Sequence, residues 1–204
     1  MTSQRSLALI VLAAGRSSRM GRPKQLEVVD GEPMVMRAAK LALGCLAQQT
    51  ILVTGAYAEQ IEQILTPLPD RNRLTFVHNP HWQDGQSTSV HAAIQALKDE
   101  IEAVLFLPVD QPFVTPAFLH SIITAWQNGA ALVAPQVNGE ARGAPALFTR
   151  TCFPELLQIQ GDVGGRVVLM KHRGEVTWLA AEAGILRDID TPEDLKNEHQ
   201  TRQT

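Results

Sequence analysis

Arg16, Arg19 and Lys24 follow directly on Ala13, Ala14 and Gly15, which places three cations around a turn of very small side chains. Such a turn lets backbone amides approach a ligand closely and leaves its N–H groups free. Guanidinium groups add forked donors and an ammonium adds a point charge. Together they suit the oxygens of a polyphosphate. The segment lacks both the Gly-Lys-Ser/Thr ending of a P-loop and the paired glycines of the dinucleotide turn. Junctions rich in Ala and Gly are common in α/β proteins and loop cations are often simply solvated, so the turn alone leaves a second reading open.

A carboxylate near mid-sequence is the complementary half. Ala103 to Gln111 reads AVLFLPVDQ, an apolar strand that delivers Asp110 to its carboxyl end, where open α/β sheets place their ligands. A carboxylate there needs a cationic partner or a metal, and Mg2+ can use one or two protein carboxylates while phosphates and water complete its shell. The plainer reading is a turn-forming Asp before Pro112; the basic loop favours the metal. From Asn79 to Ser89 the chain reads NPHWQDGQSTS, with Gly85 ahead of Ser87, Thr88 and Ser89. These hydroxyls can cap a helix, and the same geometry can turn its amides toward a polar ligand.

The elements that must position these groups alternate in character. Apolar strands are expected at Leu7 to Leu12, Thr50 to Thr54, Leu74 to His78, Ala103 to Leu107 and Ala131 to Ala134. Helical spacing marks Met34 to Leu46, Ala58 to Leu65, Ser87 to Leu97 and Pro116 to Trp126, with Thr115 capping the last and Pro116 in its first turn. Alternation of this kind predicts an α/β fold with a mostly parallel sheet covered on both faces. Beyond Ala134 come a loop at Asn138 to Gly143, an apolar patch at Ala146 to Phe148, short helices on either side of Gly161, and strands near Val176 to Ala180 and Ile185 to Arg187. Residues 1–204 read as one domain: 1–135 mainly the nucleotide-binding half, 136–195 mainly the acceptor half, and 196–204 a polar, frayed tail.

Composition narrows the partners. With 204 residues, 45% hydrophobic and a net charge of -3, the chain can bury one core and presents no general attraction for nucleic acid. Trp82, Trp126 and Trp178 form no stacking platform. The histidines, among them His78, His81 and His91, match no zinc spacing, and Gly-x-Ser-x-Gly is absent. Two distant cysteines, Cys45 and Cys152, fit a reducing compartment. No apolar stretch is long enough for a membrane span, and cytoplasmic residence follows, with a monomer as default.

The segment LAAGRSSRMGRPKQL resembles the signature loop of the nucleotidyltransferases that include the molybdenum cofactor cytidylyltransferases and related guanylyltransferases. The resemblance runs from Leu9 through Asp194 and implies a Rossmann-like three-layer α/β/α sandwich of the nucleotide-diphospho-sugar transferase type. It also implies that Leu12, Ala13, Ala14, Gly15, Arg19 and Lys24 bind the nucleotide, with Met20 and Gly21 completing the pattern. PVDQP at Pro108 to Pro112 is similar to the element that carries the family's metal-binding aspartate, so Asp110 joins Arg19 and Lys24 as catalytic. Gly85, Ser87 and Ser89 match a stretch that recognises base and ribose, with Thr88 where a serine is usual. Gly161, Asp162, Gly164 and Arg166 look like the acceptor-side motif, in which Asp162 either approaches the metal or holds Arg166. Arg142 and Gly143 resemble another acceptor stretch, with Ala144 in place of the family histidine. Asp188 and Asp190 match the closing D-I-D-T-P-E-D, whose Thr191-Pro192-Glu193 run starts the final helix, with Asp190 a further candidate metal ligand.

The resemblance implies transfer of CMP from CTP, with Mg2+, to molybdenum-bearing molybdopterin, and a molybdoenzyme as recipient. CTP is preferred because Leu-Ala-Ala-Gly and Pro-Lys follow the cytidylyl branch. The alternatives are guanylyl transfer, another phosphorylated acceptor, or a non-catalytic nucleotide-binding or cofactor-chaperone protein.

Overall fold

The computed structural model describes residues 5–45 and 47–201, the last four by backbone alone. Leu7–Leu12 (β1) is apolar at every position because it is covered on both sides. Leu7, Leu9 and Val11 face one core and Ala8 and Ile10 the other, none more than 1% exposed. Short Val28–Val29 (β2) and Glu32–Pro33 (β3) pair as a separate hairpin before Met34–Gly44 (α1). Then follow Gln49–Thr54 (β4), Ala58–Ile64 (α2), Leu74–His78 (β5), Gln86–Gln95 (α3), Ala103–Pro108 (β6), Pro116–Gln127 (α4) and Leu132–Val137 (β7). Glu140–Ala141 (β8), Ala146–Thr149 (β9), Phe153–Leu156 (α5), Arg166–Lys171 (α6), Val176–Ala180 (β10) and Pro192–Thr201 (α7) complete the chain.

The main sheet runs β10-β7-β9-β6-β1-β4-β5, with β8 beside β7. Every strand on this path is parallel except β9, which is antiparallel to both its neighbours. Helices α1, α2 and α4 bury one face; α3, α5 and α6 bury the other. The expected sandwich is therefore present. From β1 the chain steps to β4 on one side, and it later returns through α3 to β6 on the other, so the order reverses at β1 and β6. A crevice opens at such a reversal, at the carboxyl ends of the strands.

Helix ends follow local chemistry. Thr115 Oγ1 accepts from Phe118 N at 3.2 Å with Pro116 behind it. At α7, Thr191 N donates to Asp194 Oδ2 (2.8 Å) and Asp194 N to Thr191 Oγ1 (3.2 Å), a reciprocal cap. These hydrogen bonds, led by the Thr191 hydroxyl, hold the Asp194 carboxyl below its ordinary range.

Four expectations change. The Ile185 to Arg187 strand is a single 3-10 turn, Ala183–Leu186. Its chain has to cross from edge strand β10 toward β6, where Ile189 N donates to Asp110 O at 2.8 Å, and a segment making that crossing cannot stay paired at the edge. The patch at Ala146 to Phe148 is a strand, because Leu147 enters one core while Ala146 and Phe148 enter the other. Helix α1 stops at Gly44; Leu46, its expected end, lies outside the described residues. Finally, the expected frayed tail is helical from Lys196 through Thr201, continuing α7 beyond its cap, and 202–204 lie outside the described residues.

A clasp ties α5 to α6. His172 Nε2 lies 2.9 Å from Glu155 Oε1, and Lys171 Nζ lies 2.8 Å from Glu155 Oε2. The Glu155 hydrogen bond raises the His172 pKa above its ordinary value. Stability from the charged pair is then fully present below the unfolded histidine's pKa, about 6.5, and is lost as pH rises through the raised folded value. Wild-type protein should lose more melting temperature between pH 6 and 8 than His172→Gln. Parallel curves in differential scanning calorimetry would contradict this.

Candidate active site

The loop after β1 is shaped by hydrogen bonds that its small residues permit. Ser17 takes a left-handed φ of 61°, and its carbonyl accepts from Met20 N and Gly21 N, each at 3.1 Å. Gln25, fully buried at 0%, braces the turn from inside. Its Nε2 donates to Gly15 O (2.7 Å) and Ala13 O (3.1 Å), and its Oε1 accepts from Ser17 Oγ (3.1 Å). Ser17 Oγ in turn accepts from Lys24 N. The N–H groups from Ala14 through Arg19 meet no acceptor among the described residues, as an anion cradle requires. Ala13 is the exception. Its N–H donates to Val53 O at 2.9 Å, because β1 is still paired there with β4, so the expectation of a free amide holds only from Ala14 onward.

Two neighbours of this loop carried no motif signal. Gly55 packs so tightly that a Cβ would stand 2.6 Å from Ala14 O, and Tyr57 donates its hydroxyl proton to Arg16 O at 3.1 Å. Gln25 is the more consequential. Gln25→Leu keeps the bulk but strands two carbonyls and the Ser17 hydroxyl, at about 1–3 kcal/mol for each buried unsatisfied group. Denaturant unfolding should show a loss of roughly 2 kcal/mol or more, and nucleotide binding by calorimetry should weaken at least about tenfold.

Lys24 is the centre of the charge arrangement. Its Nζ stands 2.6 Å from Asp110 Oδ2 and 2.6 Å from Asp190 Oδ1, while Arg19 Nη2 is 2.9 Å from Asp190 Oδ2. Burial pulls the Lys24 ammonium toward the neutral form, but the charge and hydrogen bonds of Asp110 and Asp190 outweigh it and raise its pKa. Asp188 adds a third carboxylate, its Oδ1 accepting from Gln111 Nε2 at 3.0 Å. Crowding by protein, then the charges of Asp110 and Asp190, push the Asp188 carboxyl above its ordinary range. Asp110, Asp188 and Asp190 line one cavity of about 290 Å3, together with Leu12, Gln86, Gly143, Ala144, Gly164 and Arg166.

A divalent cation fits this donor set. Two carboxylate oxygens already share a single positive centre, the Lys24 ammonium, and a hard ion needs no more protein ligands than that when phosphate and water fill the rest. Among the described residues no group of three or more Asp, Glu, His or Cys side chains is arranged to hold a metal ion, so a cation here would rest on two carboxylates, with phosphate and water.

The remaining candidates divide. Gly143 packs on Arg166, whose Cβ would be 3.0 Å from a Cβ at that glycine, and both line the cavity. Arg142 is exposed, 4.0 Å from Glu140, and does not join them. Asp162 Oδ1 lies 3.4 Å from Gln86 N, at the start of α3, with no bond to Lys24 or Asp110. Gly85 φ is 111°, and Ser87 N donates to Gly161 O at 3.2 Å. The hydroxyl run turns partly inward: Asn79 Nδ2 donates to Ser89 Oγ (3.0 Å) and Thr88 Oγ1 (2.8 Å). Ser17, Gln25 and Gln111 were given no role by the sequence, because each acts through a hydrogen-bond partner that no motif specifies. Asp188 was matched only as part of the closing D-I-D run, and the structure adds it to the carboxylates of the cavity.

The model of the MobA-like NTP transferase domain matches residues 9–176. The chain belongs to this family. It is 31% identical over 187 residues to the molybdenum cofactor cytidylyltransferase of Escherichia coli K12, covering 91% of this chain and 92% of that one. It is 27% identical over 194 residues to the purine catabolism protein PucB of Bacillus subtilis, with the same coverage. Among solved structures, Rv0371c of Mycobacterium tuberculosis superposes with a TM-score of 0.79 at 26% identity, covering 94% of this chain and 97% of that one. A structure of Rv0371c in complex with manganese gives the same score at 24% identity, with 97% and 100% covered. The MobA-like chain is accordingly a nucleotidyltransferase with the nucleotide-diphospho-sugar transferase fold expected from its loop, and its basic turn and acidic cluster share one end of the sheet.

Proposed function

We propose that this chain is a Mg2+-dependent cytidylyltransferase of the cytoplasm, transferring CMP from CTP to the phosphate of molybdenum-molybdopterin. The products are molybdopterin cytosine dinucleotide, destined for a molybdoenzyme, and pyrophosphate. The observation that carries this reading is the meeting of the free-amide loop with Asp110 and Asp190 through Lys24. The similarity to the E. coli cytidylyltransferase supports the base and the acceptor, and the manganese complex of Rv0371c supports a divalent ion.

An oxygen of the acceptor phosphate attacks the α-phosphorus; the new P–O bond forms as the α–β bridging P–O bond breaks, and pyrophosphate departs with that electron pair. The attacking phosphate is already anionic, so no side chain has to remove a proton. Amides 14–19, with Arg16, Arg19 and Lys24, neutralise the β and γ oxygens and the charge that develops on pyrophosphate. Asp110 and Asp190 would hold Mg2+, which supplies Lewis-acid stabilisation of the phosphoryl oxygens. Arg166, seated on Gly143 in the cavity, orients the acceptor phosphate, and Gly85 with Ser87 and Ser89 sets the nucleoside edge.

Ala144 lines the cavity without a donor or a titrating group, which favours a second reading for the acceptor alone, another phosphorylated small molecule. Calorimetric titration of CTP, GTP and ATP in Mg2+ should show CTP bound at least about tenfold tighter, or 1.4 kcal/mol. Equal weak binding of all three removes the base assignment. Mass spectrometry of the product formed with molybdopterin or with alcohol phosphates identifies the acceptor.

A further inference from the structure

We propose that Lys24 is a tethered counter-ion which keeps the divalent cation out of its seat until the donor triphosphate arrives, so that metal and nucleotide load as one unit. The inference rests on the metal reading of Asp110 and Asp190. Those two carboxylates face a single ammonium at 2.6 Å each, and the Lys24 side chain is only 14% exposed. A dication cannot take the same two oxygens while the ammonium stays between them, because like charges a few ångströms apart in a half-buried cleft repel strongly.

The pivot is built for a swing of the side chain alone. Lys24 N is held by Ser17 Oγ, and the adjacent Gln25 is bonded to Gly15 O and Ala13 O. The backbone of Lys24 is thereby fixed to the loop whose amides from Ala14 to Arg19 are free. A four-carbon stem rooted there can carry its ammonium from the carboxylates to phosphates lying on those amides. Metal alone would strip Lys24 of both partners and offer none in return. A metal–triphosphate complex supplies the carboxylates with a cation and the lysine with phosphate oxygens, so charge stays balanced throughout. Arg19, 73% exposed and bonded to Asp190 by one nitrogen, moves with less loss.

Mn2+ is the probe, followed by the disappearance of the free aqueous ion's paramagnetic resonance signal on the whole chain. Wild-type protein should bind Mn2+ alone at least about tenfold more weakly than in the presence of saturating CTP. Lys24→Met and Lys24→Gln should each bind Mn2+ alone at least about tenfold more tightly than wild type, and CTP should add little further. Circular dichroism confirms that either variant is folded, and one folded variant suffices. Mn2+ affinity that is lost in Asp110→Asn but unchanged by both lysine substitutions overturns the proposal. Mn2+ binding indifferent to Asp110→Asn overturns the metal reading beneath it.

Discussion

Asp110→Asn should lower turnover by about a thousandfold or more while leaving the fold in place. The asparagine keeps the shape but loses the charge that would anchor the cation, and an interaction realised most strongly in the transition state is worth roughly 3–4 kcal/mol or more of barrier. Stability should change by no more than about 1 kcal/mol, for three structural reasons. Lys24 retains Asp190, the bond that seats Ile189 uses the Asp110 carbonyl rather than its side chain, and Asp188 is relieved of a neighbouring like charge. Steady-state pyrophosphate release beside urea unfolding separates the two quantities. Retained turnover, or a collapse in stability, would each refute the assigned role.

Gly85→Ala should be the most destabilising single-carbon addition in the chain. The backbone φ of 111° is one that side-chain-bearing residues avoid, and the added carbon would sit 2.3 Å from the carbonyl carbon and oxygen of Gly161 and 2.6 Å from Asp162 N. These are backbone atoms, so no rotamer relieves the overlap. The start of α3 and the 161–165 loop, which are joined by Ser87 N to Gly161 O, must separate. A loss of about 3 kcal/mol or more is expected, or roughly 6–12 °C in melting temperature for a chain of this length. Activity should fall with it, because Gly164 and Arg166 line the cavity. Calorimetry and the same pyrophosphate assay report both effects; a melting point within 2 °C of wild type would contradict the packing argument.

Elements were legible where one residue pattern had one cause. Strands β1, β4 and β6 are buried along nearly their whole length and edge strand β5 only in part, and the ends of all four fall within a residue of those expected. The Thr115 cap and the Thr191 start are local chemistry, readable without a fold. Strand β9 was visible only as a patch, since four residues give too short a period to distinguish strand from loop and its antiparallel insertion depends on neighbours distant in the chain. The turn at Ala183–Leu186 lies where a strand was expected near Ile185 to Arg187, because the chain there must reach across the sheet.

The order of residues along the chain determined the strand–helix alternation, the basic small-residue loop and an acidic residue at a strand end, because each is written in side chains adjacent in sequence. Tertiary structure alone decided that Lys24 sits between Asp110 and Asp190, that Gln25 braces the loop, that Gln111 holds Asp188, and that Asp162 turns to the start of α3. Those partners are separated by up to 166 residues. Which carboxylate a lysine meets is settled by strand order and by the chain's return over the carboxyl edge of the sheet, and no local pattern encodes that distance.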